Sequence, residues 1–309
     1  MYRRVLMAVL GAGLVFGLGG SALAAGWNGN GDGTSWSDAA NWSSGSGLVP
    51  LTAGADTAVD IRAPNAAGTG DVVINLDAAT ANTFVDNTSG NFFSTRATDT
   101  RSLTVNTDWG DGFTSSGMWV GQSSTGPGLV TINHVGGDLI LPGATYFGRG
   151  SGPDGEILYD LRAGMLEMRE PRIGARSDAD ADIKLSISGG TFDNLTPTYS
   201  NRRVYLGGWD GGTATFVVSG TGTARIYDFR GDNGGEATAG TGGSTYFRVV
   251  GSQATVVWGH NFALDQDGKA NSVNELQFVA DAGGVSTITA ADAAATLRLA
   301  GTTTLMVDL

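Results

Sequence analysis

The chain has 309 residues, a formal net charge of −12 and 50 glycines, with no cysteine and two histidines. The lack of cysteine excludes a disulfide framework and a thiol nucleophile, and the acidity argues against nucleic acid as a partner because phosphate backbones repel an acidic chain. The many glycines indicate a fold with numerous tight turns.

The first segment, 1–24, has the features of an export signal. Arg3 and Arg4 precede an apolar stretch over 5–18, and the small residues of "ALA" at 22–24 suit cleavage by a signal peptidase. The apolar stretch is shorter than the roughly 20 residues that span a bilayer. We therefore expect a signal peptide, no transmembrane segment after its cleavage, and a protein secreted from, or held on the surface of, a Gram-negative-type bacterium.

The next predicted unit, 25–60, opens with "GWNGNGDGTSWSDAANWSSG". Asn28, Asn30 and Asp32 are spaced like the first three ligands of a calcium loop, with a glycine at the sharp turn. Ala39, however, stands where such a loop requires a bidentate glutamate. Calcium at Asn28, Asn30 and Asp32 is therefore a weak possibility, and no other cofactor is indicated.

The three tryptophans of the same stretch favour a structural interpretation. Trp27, Trp36 and Trp42 can cover the apolar end of the first coil of a repeat fold, while the asparagines, glycines and aspartates form its turns. An open end of a stacked fold needs such a cover to avoid association with another end. We therefore predict a cap followed by a first strand over 25–60.

An internal repeat organises the segment 61–265. An apolar residue followed by glycine recurs, and a second glycine follows 15 or 16 residues later. The four pairs are Val120-Gly121, Phe147-Gly148, Ile173-Gly174 and Leu206-Gly207, and the later glycines are Gly137, Gly164, Gly190 and Gly222. The units are 27, 26 and then about 32 residues apart, because "TPTYSNRR" lengthens the last interval.

The spacing of the repeats predicts an all-β fold. Each unit offers three short runs of alternating apolar and polar residues, with almost no 3.6-residue apolar period. Stacked units bury a continuous core because equivalent inward residues lie above one another at the strand spacing of about 4.8 Å. We predict a right-handed parallel β-helix, or β-solenoid, with coils of roughly 26 residues. The alternative is an antiparallel β-sandwich or jelly roll.

The same register predicts an outward column of flat side chains. If the apolar residue of each pair points inward, the residue before it points outward on the same strand. These outward residues are Trp119, Tyr146, Arg172 and Tyr205. Such a column can stack on sugar rings with cation-π support from Arg172, or it can simply stabilise neighbouring coils. We predict it as the candidate carbohydrate-binding site, with polysaccharides or cell-surface glycans as partners.

No motif in the chain indicates catalysis. His134 and His260 lie far apart outside any metal-ligand spacing, and no serine stands in a nucleophile elbow. Neighbouring repeats offer paired carboxylates, although solvated outward positions explain them more simply. These carboxylates belong to Asp160, Glu167, Glu170 and Asp193. We predict no catalytic residue and a protein that is not an enzyme.

The last predicted unit, 266–309, is a β segment ending in "ATLRLAGTTTLMVDL". Its apolar and polar residues alternate up to the last residue, without a turn or a polar cap, and an uncovered strand edge invites association. We expect either a fragment of a longer gene product or an antiparallel lid formed by Leu297, Leu299, Leu305 and Val307. A lid predicts a monomer, whereas an uncovered end predicts end-to-end association.

Both ends of the chain resemble a known class of exported proteins. The opening "WNGNGDGTSWSDAANWSSG", followed by "GLVP" and "ADTAVDI", resembles the start of bacterial surface proteins with autotransporter-type β-strand repeats, often of the PEP-CTERM-sorted type. The stretch "NELQFVADAGGVSTITAADAAATLRLAGTTTLMVDL" resembles their late segment. This chain departs from them because no sorting signal follows Leu309. The resemblance implies a solenoid at the cell surface or in the matrix more than it implies an activity.

Three functions are consistent with these patterns. The first is an exported structural or adhesive β-solenoid without a catalytic site. The second is a carbohydrate-binding solenoid that uses the outward aromatic column. The third is a polysaccharide lyase or glycoside hydrolase on a β-helix, which the fold allows and no motif supports.

Overall fold

The structure, a computed structural model, describes residues 25–43, 59–60, 72–74, 91–94, 101–105, 117–120, 129–149, 156–176, 182–195, 202–207, 212–231, 243–264, 273–279, 287–291, 296–299 and 303–308. The predicted signal peptide at 1–24 lies outside these residues.

The described residues form strands and one short 3₁₀ turn at Ala39–Asn41. The strands are β1 Ala25–Trp27, β2 Trp42–Ser43, β3 Val59–Asp60, β4 Val72–Ile74, β5 Asn91–Ser94, β6 Arg101–Val105, β7 Gly117–Val120, β8 Leu129–His134, β9 Asp138–Arg149, β10 Glu156–Leu161, β11 Met165–Arg176, β12 Asp182–Ile187, β13 Thr191–Asp193, β14 Val204–Leu206, β15 Thr213–Ser219, β16 Thr223–Gly231, β17 Ser244–Val250, β18 Thr255–Leu264, β19 Val273–Val279, β20 Thr287–Ala290, β21 Thr296–Leu299 and β22 Thr303–Asp308.

Two long sheets build the fold, which is a parallel β-solenoid. Sheet 1 has nine strands in the order β4-β6-β8-β10-β12-β15-β17-β19-β22, and sheet 2 has ten in the order β5-β7-β9-β11-β13-β16-β18-β20, with β14 and β21 beside it. Neighbouring strands are parallel and one coil apart. The predicted solenoid is therefore confirmed and the antiparallel sandwich is wrong, while the right-handed winding stays a prediction.

The predicted repeat lengths are confirmed by the pairing register. Leu129 pairs with Glu156 and Glu156 pairs with Asp182, so these coils are 27 and 26 residues apart. Thr191 pairs with Thr223, an interval of 32 residues. The longer interval coincides with the interruption of the strand between β13 and β14.

The core lies between the two sheets and consists of stacked apolar columns. In sheet 1 one inward column runs through Ile132, Tyr159, Leu185, Phe216, Phe247 and Leu276. Phe216 and Phe247 stack with their centroids 5.0 Å apart, and Phe229 and Phe262 of sheet 2 stack at 4.5 Å. The two pairs meet edge to face, an arrangement that aromatic rings prefer.

Glycines close the turns between sheet 1 and sheet 2. Gly137, Gly164 and Gly190 have φ of 74°, 80° and 69°, a region that glycine adopts without steric cost. A Cβ on Gly164 would lie 1.9 Å from the carbonyl oxygen of Gly137, because the turns of successive coils pack directly on one another. Gly222 differs from these three glycines, because Gly220, two residues earlier, takes the positive φ of 54° in that turn.

The described carboxyl-terminal strands continue the solenoid. β21 pairs in parallel with β18, and β22 pairs in parallel with β19. The antiparallel lid is therefore wrong, since the last segment adds strands to both sheets in the same direction as its predecessors.

Candidate functional site

The predicted outward column lies on the second half of the sheet 2 strands. The register pairs Trp119 with Tyr146, Tyr146 with Arg172, and Arg172 with Tyr205. We call Tyr146, Arg172 and Tyr205 the Tyr-Arg ladder. Its placement confirms the predicted register of four successive coils.

Alternation along each strand fixes the outward direction of the ladder. The residues that follow its members, Phe147, Ile173 and Leu206, are buried in the core. Because successive side chains of a strand point to opposite faces, burial of one residue directs the previous one outward. The glycines after the buried residues then turn the chain, and Gly148 and Gly174 do so with φ of 79° and 82°.

The guanidinium of Arg172 lies between two aromatic rings. Its Cζ is 5.2 Å from the centroid of Tyr146 and 5.3 Å from that of Tyr205. Glu170 Oε1 accepts hydrogen bonds from Arg172 Nη2 at 2.5 Å and from Nε at 3.0 Å. Burial lowers the pKa of Arg172, but the hydrogen bond and charge of Glu170 outweigh it and raise that pKa above its ordinary value. Arg172 is therefore a fixed cation.

The stacking leaves little aromatic face for a sugar. Arg172 covers one face of Tyr146 and one face of Tyr205, and Tyr205 is only 7% exposed. Because the rings and the guanidinium stack on one another, the ladder directs ring edges rather than ring faces away from the core. Contacts with a ligand at this ladder would therefore be hydrogen bonds from edges more than ring stacking.

A second outward column of alternating charge lies beside the ladder. From the register, Glu170, Arg203 and Asp228 occupy equivalent positions on three successive coils. Asp228 Oδ2 accepts hydrogen bonds from Arg230 and lies 3.5 Å from Arg203 Nε. We call Glu170, Arg172, Arg203, Asp228 and Arg230 the charge lattice. Each acid in it is paired with a cation of its own coil or the next.

Sequence analysis did not find most of this lattice. Arg203, Asp228 and Arg230 meet only because the coils stack, so their sequence separation hides the contact. One signal was present in the sequence: an acid stands two residues before an arginine at several positions, and the structure pairs the two residues at Asp160, Glu170 and Asp228. Residues i and i+2 of a strand share a face, which makes this pattern readable.

A buried asparagine holds the sheet together where β13 ends. Asn194 Nδ2 donates to the carbonyl oxygens of Met168 and Arg169, at 2.7 and 2.8 Å, and Asn194 Oδ1 accepts from the backbone N–H of Tyr227 at 3.3 Å. The Asn194 N–H donates to Arg225 O at 2.7 Å. Asn194 thus bonds to the coils on both sides and replaces backbone pairing at the interruption.

Another stack of flat groups lies next to this asparagine. The guanidinium carbon of Arg202 is 3.8 Å from the Tyr227 ring centroid, and the Tyr227 ring stacks on His260 with centroids 5.4 Å apart. His260 lies where β18 carries an extra residue relative to β16, between Trp258 and Asn261. The bulge places the imidazole outward, beside Tyr227.

Two of the predicted paired carboxylates are covered rather than solvated. Asp193 is buried, and its Oδ2 accepts a hydrogen bond from Arg225 Nη1 at 2.5 Å while its Oδ1 accepts from the N–H of Leu195. Glu170 is occupied by Arg172, as described above. The outward, solvated interpretation of Asp193 is therefore wrong, because the arginine of the next coil lies over it.

The predicted calcium oxygens are engaged within their own loop. Asn28 Oδ1 accepts from the Asn30 N–H at 2.9 Å, and Asp32 Oδ1 accepts from two following backbone N–H groups and from Asn41 Nδ2. Hydrogen bonds from Ser35, from that backbone and from Asn41 hold the pKa of Asp32 well below its ordinary value. Within the described residues no three acidic or histidine side chains form a metal-binding group. Calcium binding stays an untested possibility.

The three tryptophans of the amino-terminal stretch pack together. The Trp42 centroid is 4.9 Å from that of Trp27 and 4.5 Å from that of Trp36, with the rings steeply inclined. Trp42 Nε1 donates to the Trp36 carbonyl at 2.9 Å, and all three rings are buried. β1 pairs with β2 and β3, and β3 lies beside β5 of sheet 2. The three tryptophans therefore form one buried cluster, and their role as a cap over the first coil stays a prediction.

His134 is a core residue with a defined tautomer. Its Nε2 lies 2.8 Å from Gly137 O, which can only accept, so Nε2 carries the proton. Its Nδ1 then accepts from the Tyr159 hydroxyl at 2.9 Å. Burial lowers the pKa of His134 and raises the pKa of Tyr159, so both groups are neutral at pH 7. The hydrogen bond between His134 and Tyr159 therefore gives each of these buried polar side chains a partner.

Comparison of the chain with protein-family models, with curated proteins and with solved structures finds no match. Among the described residues there is no helix with the length and apolar character needed to cross a membrane.

Proposed function

We propose that the protein is an exported structural or adhesive β-solenoid of the bacterial surface or matrix, of the kind built from autotransporter-type β-strand repeats. The observation that supports this proposal is the continuous inward column from Ile132 to Leu276. Stacked coils that share one core form a stiff unit, and a stiff unit presents its outer faces at a fixed spacing. The amino-terminal sequence features of 1–24 supply the export route.

Surface exposure and adhesion test this proposal together. We expect protease added to intact cells to degrade the protein, and deletion of the gene to reduce attachment of the cells to surfaces or to one another. Complementation with the unaltered gene should restore attachment, whereas complementation with Gly164→Val, which disrupts the turns, should not. Protection from protease in intact cells, with full degradation after lysis, would reject the surface location.

The Tyr-Arg ladder supports a second candidate function, carbohydrate binding. Arg172 is held between Tyr146 and Tyr205 and anchored by Glu170, so the outward edges are fixed before a ligand arrives. Groups fixed in advance lose little conformational entropy on binding. Hydroxyl edges and a guanidinium together provide donors and acceptors for sugar hydroxyl groups.

A glycan screen with two matched variants tests the second candidate. Tyr146→Phe removes one outward hydroxyl from the ladder. Tyr246→Phe is the control, because Tyr246 lies beneath Arg248 at 5.0 Å in a similar pair on sheet 1. We expect Tyr146→Phe to weaken glycan binding about threefold to tenfold, the loss of one net hydrogen bond, and Tyr246→Phe to have no effect. Equal effects of the two variants would remove the ladder from consideration.

A lyase or hydrolase activity remains an untested alternative that no specific observation favours. The carboxylates of Glu170, Asp193 and Asp228 are each paired with an arginine.

A further inference from the structure

Three of the ion pairs on sheet 2 join an exposed or partly exposed arginine to a buried aspartate. The Arg225 side chain is 45% exposed while its partner Asp193 is 5% exposed. Arg203 is 40% exposed and Arg230 is 21% exposed, while their shared partner Asp228 is 5% exposed. In all of these pairs the carboxylate lies beneath and the guanidinium lies towards solvent.

This layering determines the electrostatic character of the surface. A buried carboxylate is reached by solvent and ligands only past its arginine, so the exposed layer is positive although each pair is formally neutral. Three guanidinium groups share two carboxylates here, which leaves a net positive charge at Arg203, Arg225 and Arg230. The whole chain carries a net charge of −12. A positive patch on an acidic protein attracts anions locally while like charges elsewhere repel them.

The guanidinium groups suit carboxylate and sulfate ligands. An arginine has five N–H donors in a planar fork that matches the two oxygens of such groups, and Arg225 directs its Nη1 at Asp193. Arg203 and Arg230 lie on adjacent coils and are offset by two residues along the strand, because Tyr205 is the register partner of Arg230. Acidic groups that repeat along a linear polymer can therefore meet arginines on successive coils.

We propose that the patch formed by Arg203, Arg225 and Arg230 binds acidic polysaccharides through their carboxylate or sulfate groups. The proposal rests on the carbohydrate-binding candidate function and names its ligand class. The carboxylates of Asp193 and Asp228 orient the guanidinium groups from below. The neighbouring Tyr-Arg ladder supplies hydroxyl edges for the uncharged part of the polymer.

The test compares ligands that differ only in charge, using the mature chain. Polygalacturonate and its methyl ester share one backbone, and dextran sulfate and dextran provide the same comparison for sulfate. We expect the charged member of at least one pair to bind by calorimetry and the uncharged member to bind at least tenfold more weakly. Binding should weaken further as salt rises, because the patch is exposed and its charges are screened.

Variants then locate the site. Arg203→Gln and Arg225→Gln should each weaken binding of the acidic polymer about threefold to fivefold, the effect of one exposed ion pair. Lys184→Gln is the control, because Lys184 is an exposed cation on sheet 1 and its loss changes the net charge equally. Arg225→Lys keeps the charge over Asp193 and should lose less than Arg225→Gln. The ligand comparison on the unaltered protein stands even where a variant fails to fold.

The outcomes distinguish binding of acidic polysaccharides at this patch from carbohydrate binding in general. Equal binding of polygalacturonate and its ester would overturn the acidic ligand class and leave carbohydrate binding in place. Binding to none of the polymers would overturn both. Equal weakening by Lys184→Gln, or equal binding of duplex DNA, would identify non-specific attraction of polyanions and overturn the site. A response to sulfate but not carboxylate, or the reverse, supports the site and selects the ligand group.

Discussion

Sheet 1 and sheet 2 belong to the same coils but differ in regularity. The described pairings of sheet 1 run without a register shift from β4 to β22. Sheet 2 has register shifts between β9 and β11, β16 and β18, and β5 and β7, and a complete interruption between β13 and β14. Among the described strands, the register shifts and the interruption fall on sheet 2.

Sheet 1 is the regular side of the solenoid, and sheet 2 carries the clusters of charged and polar side chains. The charge lattice and the stack of Arg202, Tyr227 and His260 lie on sheet 2, next to its bulges and its interruption. A bulge changes the direction of side chains that regular strand pairing would hold in aligned columns. Sheet 1 keeps the coils in register, which allows sheet 2 to carry irregularities that would otherwise cost stability.

The largest expected effect comes from breaking the aromatic core that joins the two sheets. Phe216 of sheet 1 stacks on Phe247 and contacts Phe192 and Phe229 of sheet 2 edge to face. Phe216→Ala removes these contacts and leaves a cavity between the sheets, so we expect unfolding free energy to fall by about 3 to 5 kcal/mol. Chemical denaturation measures the loss.

The neighbouring residue provides the control for this prediction. Val217 precedes the next inward residue on the same strand and points outward. Val217→Ala should therefore cost less than about 1 kcal/mol, since it opens no internal cavity. Similar losses in Phe216→Ala and Val217→Ala would contradict the inward and outward assignment of sheet 1.

The next effect concerns the turns that connect the two sheets. Gly164→Val demands a side chain at φ 80°, and its Cβ would lie 1.9 Å from a backbone oxygen of the preceding coil. Backbone atoms move less readily than the end of a flexible side chain, so we expect a loss of about 3 kcal/mol in unfolding free energy. Gly220→Ala, in the turn that departs from the repeat, should be milder because it adds one methyl group at an exposed position, 2.6 Å from Ser188 O. Equal melting temperatures for Gly164→Val and the unaltered protein would contradict the stacked turn.

The sequence predicted the coil because its signals are local and repeat. An apolar residue before glycine marks a strand end, and a glycine 15 or 16 residues later marks a turn, so the repeat alone placed both Phe147 and Gly164. The position of Arg172 between Tyr146 and Tyr205 followed from alternation on each strand combined with the register of the repeat. These features depend on the two-residue alternation of side chains along a strand and on the coil length of about 26 residues, and both can be read from a single sequence.

The remaining features could not be predicted because they depend on the insertion of extra residues. "TPTYSNRR" marks a longer unit, but nothing in its letters assigns Asn194 to the bonds that bridge the gap. The positive φ moves from Gly222 to Gly220 in the following turn, a change of two residues that the glycine pattern leaves open. The pairing of Asp193 with Arg225 required knowing that 32 residues separate adjacent positions of neighbouring coils.

A third prediction tests the asparagine that spans the interruption of sheet 2. Asn194→Ala removes the donors to Met168 O and Arg169 O and the acceptor for the Tyr227 N–H, and leaves those buried backbone groups unpaired. We expect a loss of about 2 kcal/mol in unfolding free energy. Asn133→Ala, on the outer face of regular sheet 1, is the matched control and should cost less than about 0.5 kcal/mol. Equal losses would mean that the interruption is not held by this side chain.

The smallest effect concerns pH and the buried histidine of sheet 1. His134 is neutral in the folded chain because burial lowers its pKa below the ordinary value of 6.5, whereas the unfolded chain exposes it and gains a proton at that value. Its contribution is therefore fully present above about pH 6.5 and is lost as pH falls from there towards the lower folded pKa. Between pH 7 and pH 5 we expect the unaltered protein to lose more unfolding free energy than His134→Gln, which cannot titrate.

His260 provides the control position for this measurement, because it is the other histidine of the chain and lies exposed on sheet 2. Glutamine at 134 offers a donor towards Gly137 O and an acceptor for the Tyr159 hydroxyl, so His134→Gln retains the hydrogen-bonding capacity while removing the proton equilibrium. Carboxylates titrate in all three proteins and cancel in the comparison. His260→Gln removes the exposed imidazole of sheet 2 and is the matched control, and we expect it to keep the pH dependence of the unaltered chain. A pH dependence that disappears in His260→Gln and persists in His134→Gln would assign the sensitivity to the irregular sheet and contradict the neutral buried pair.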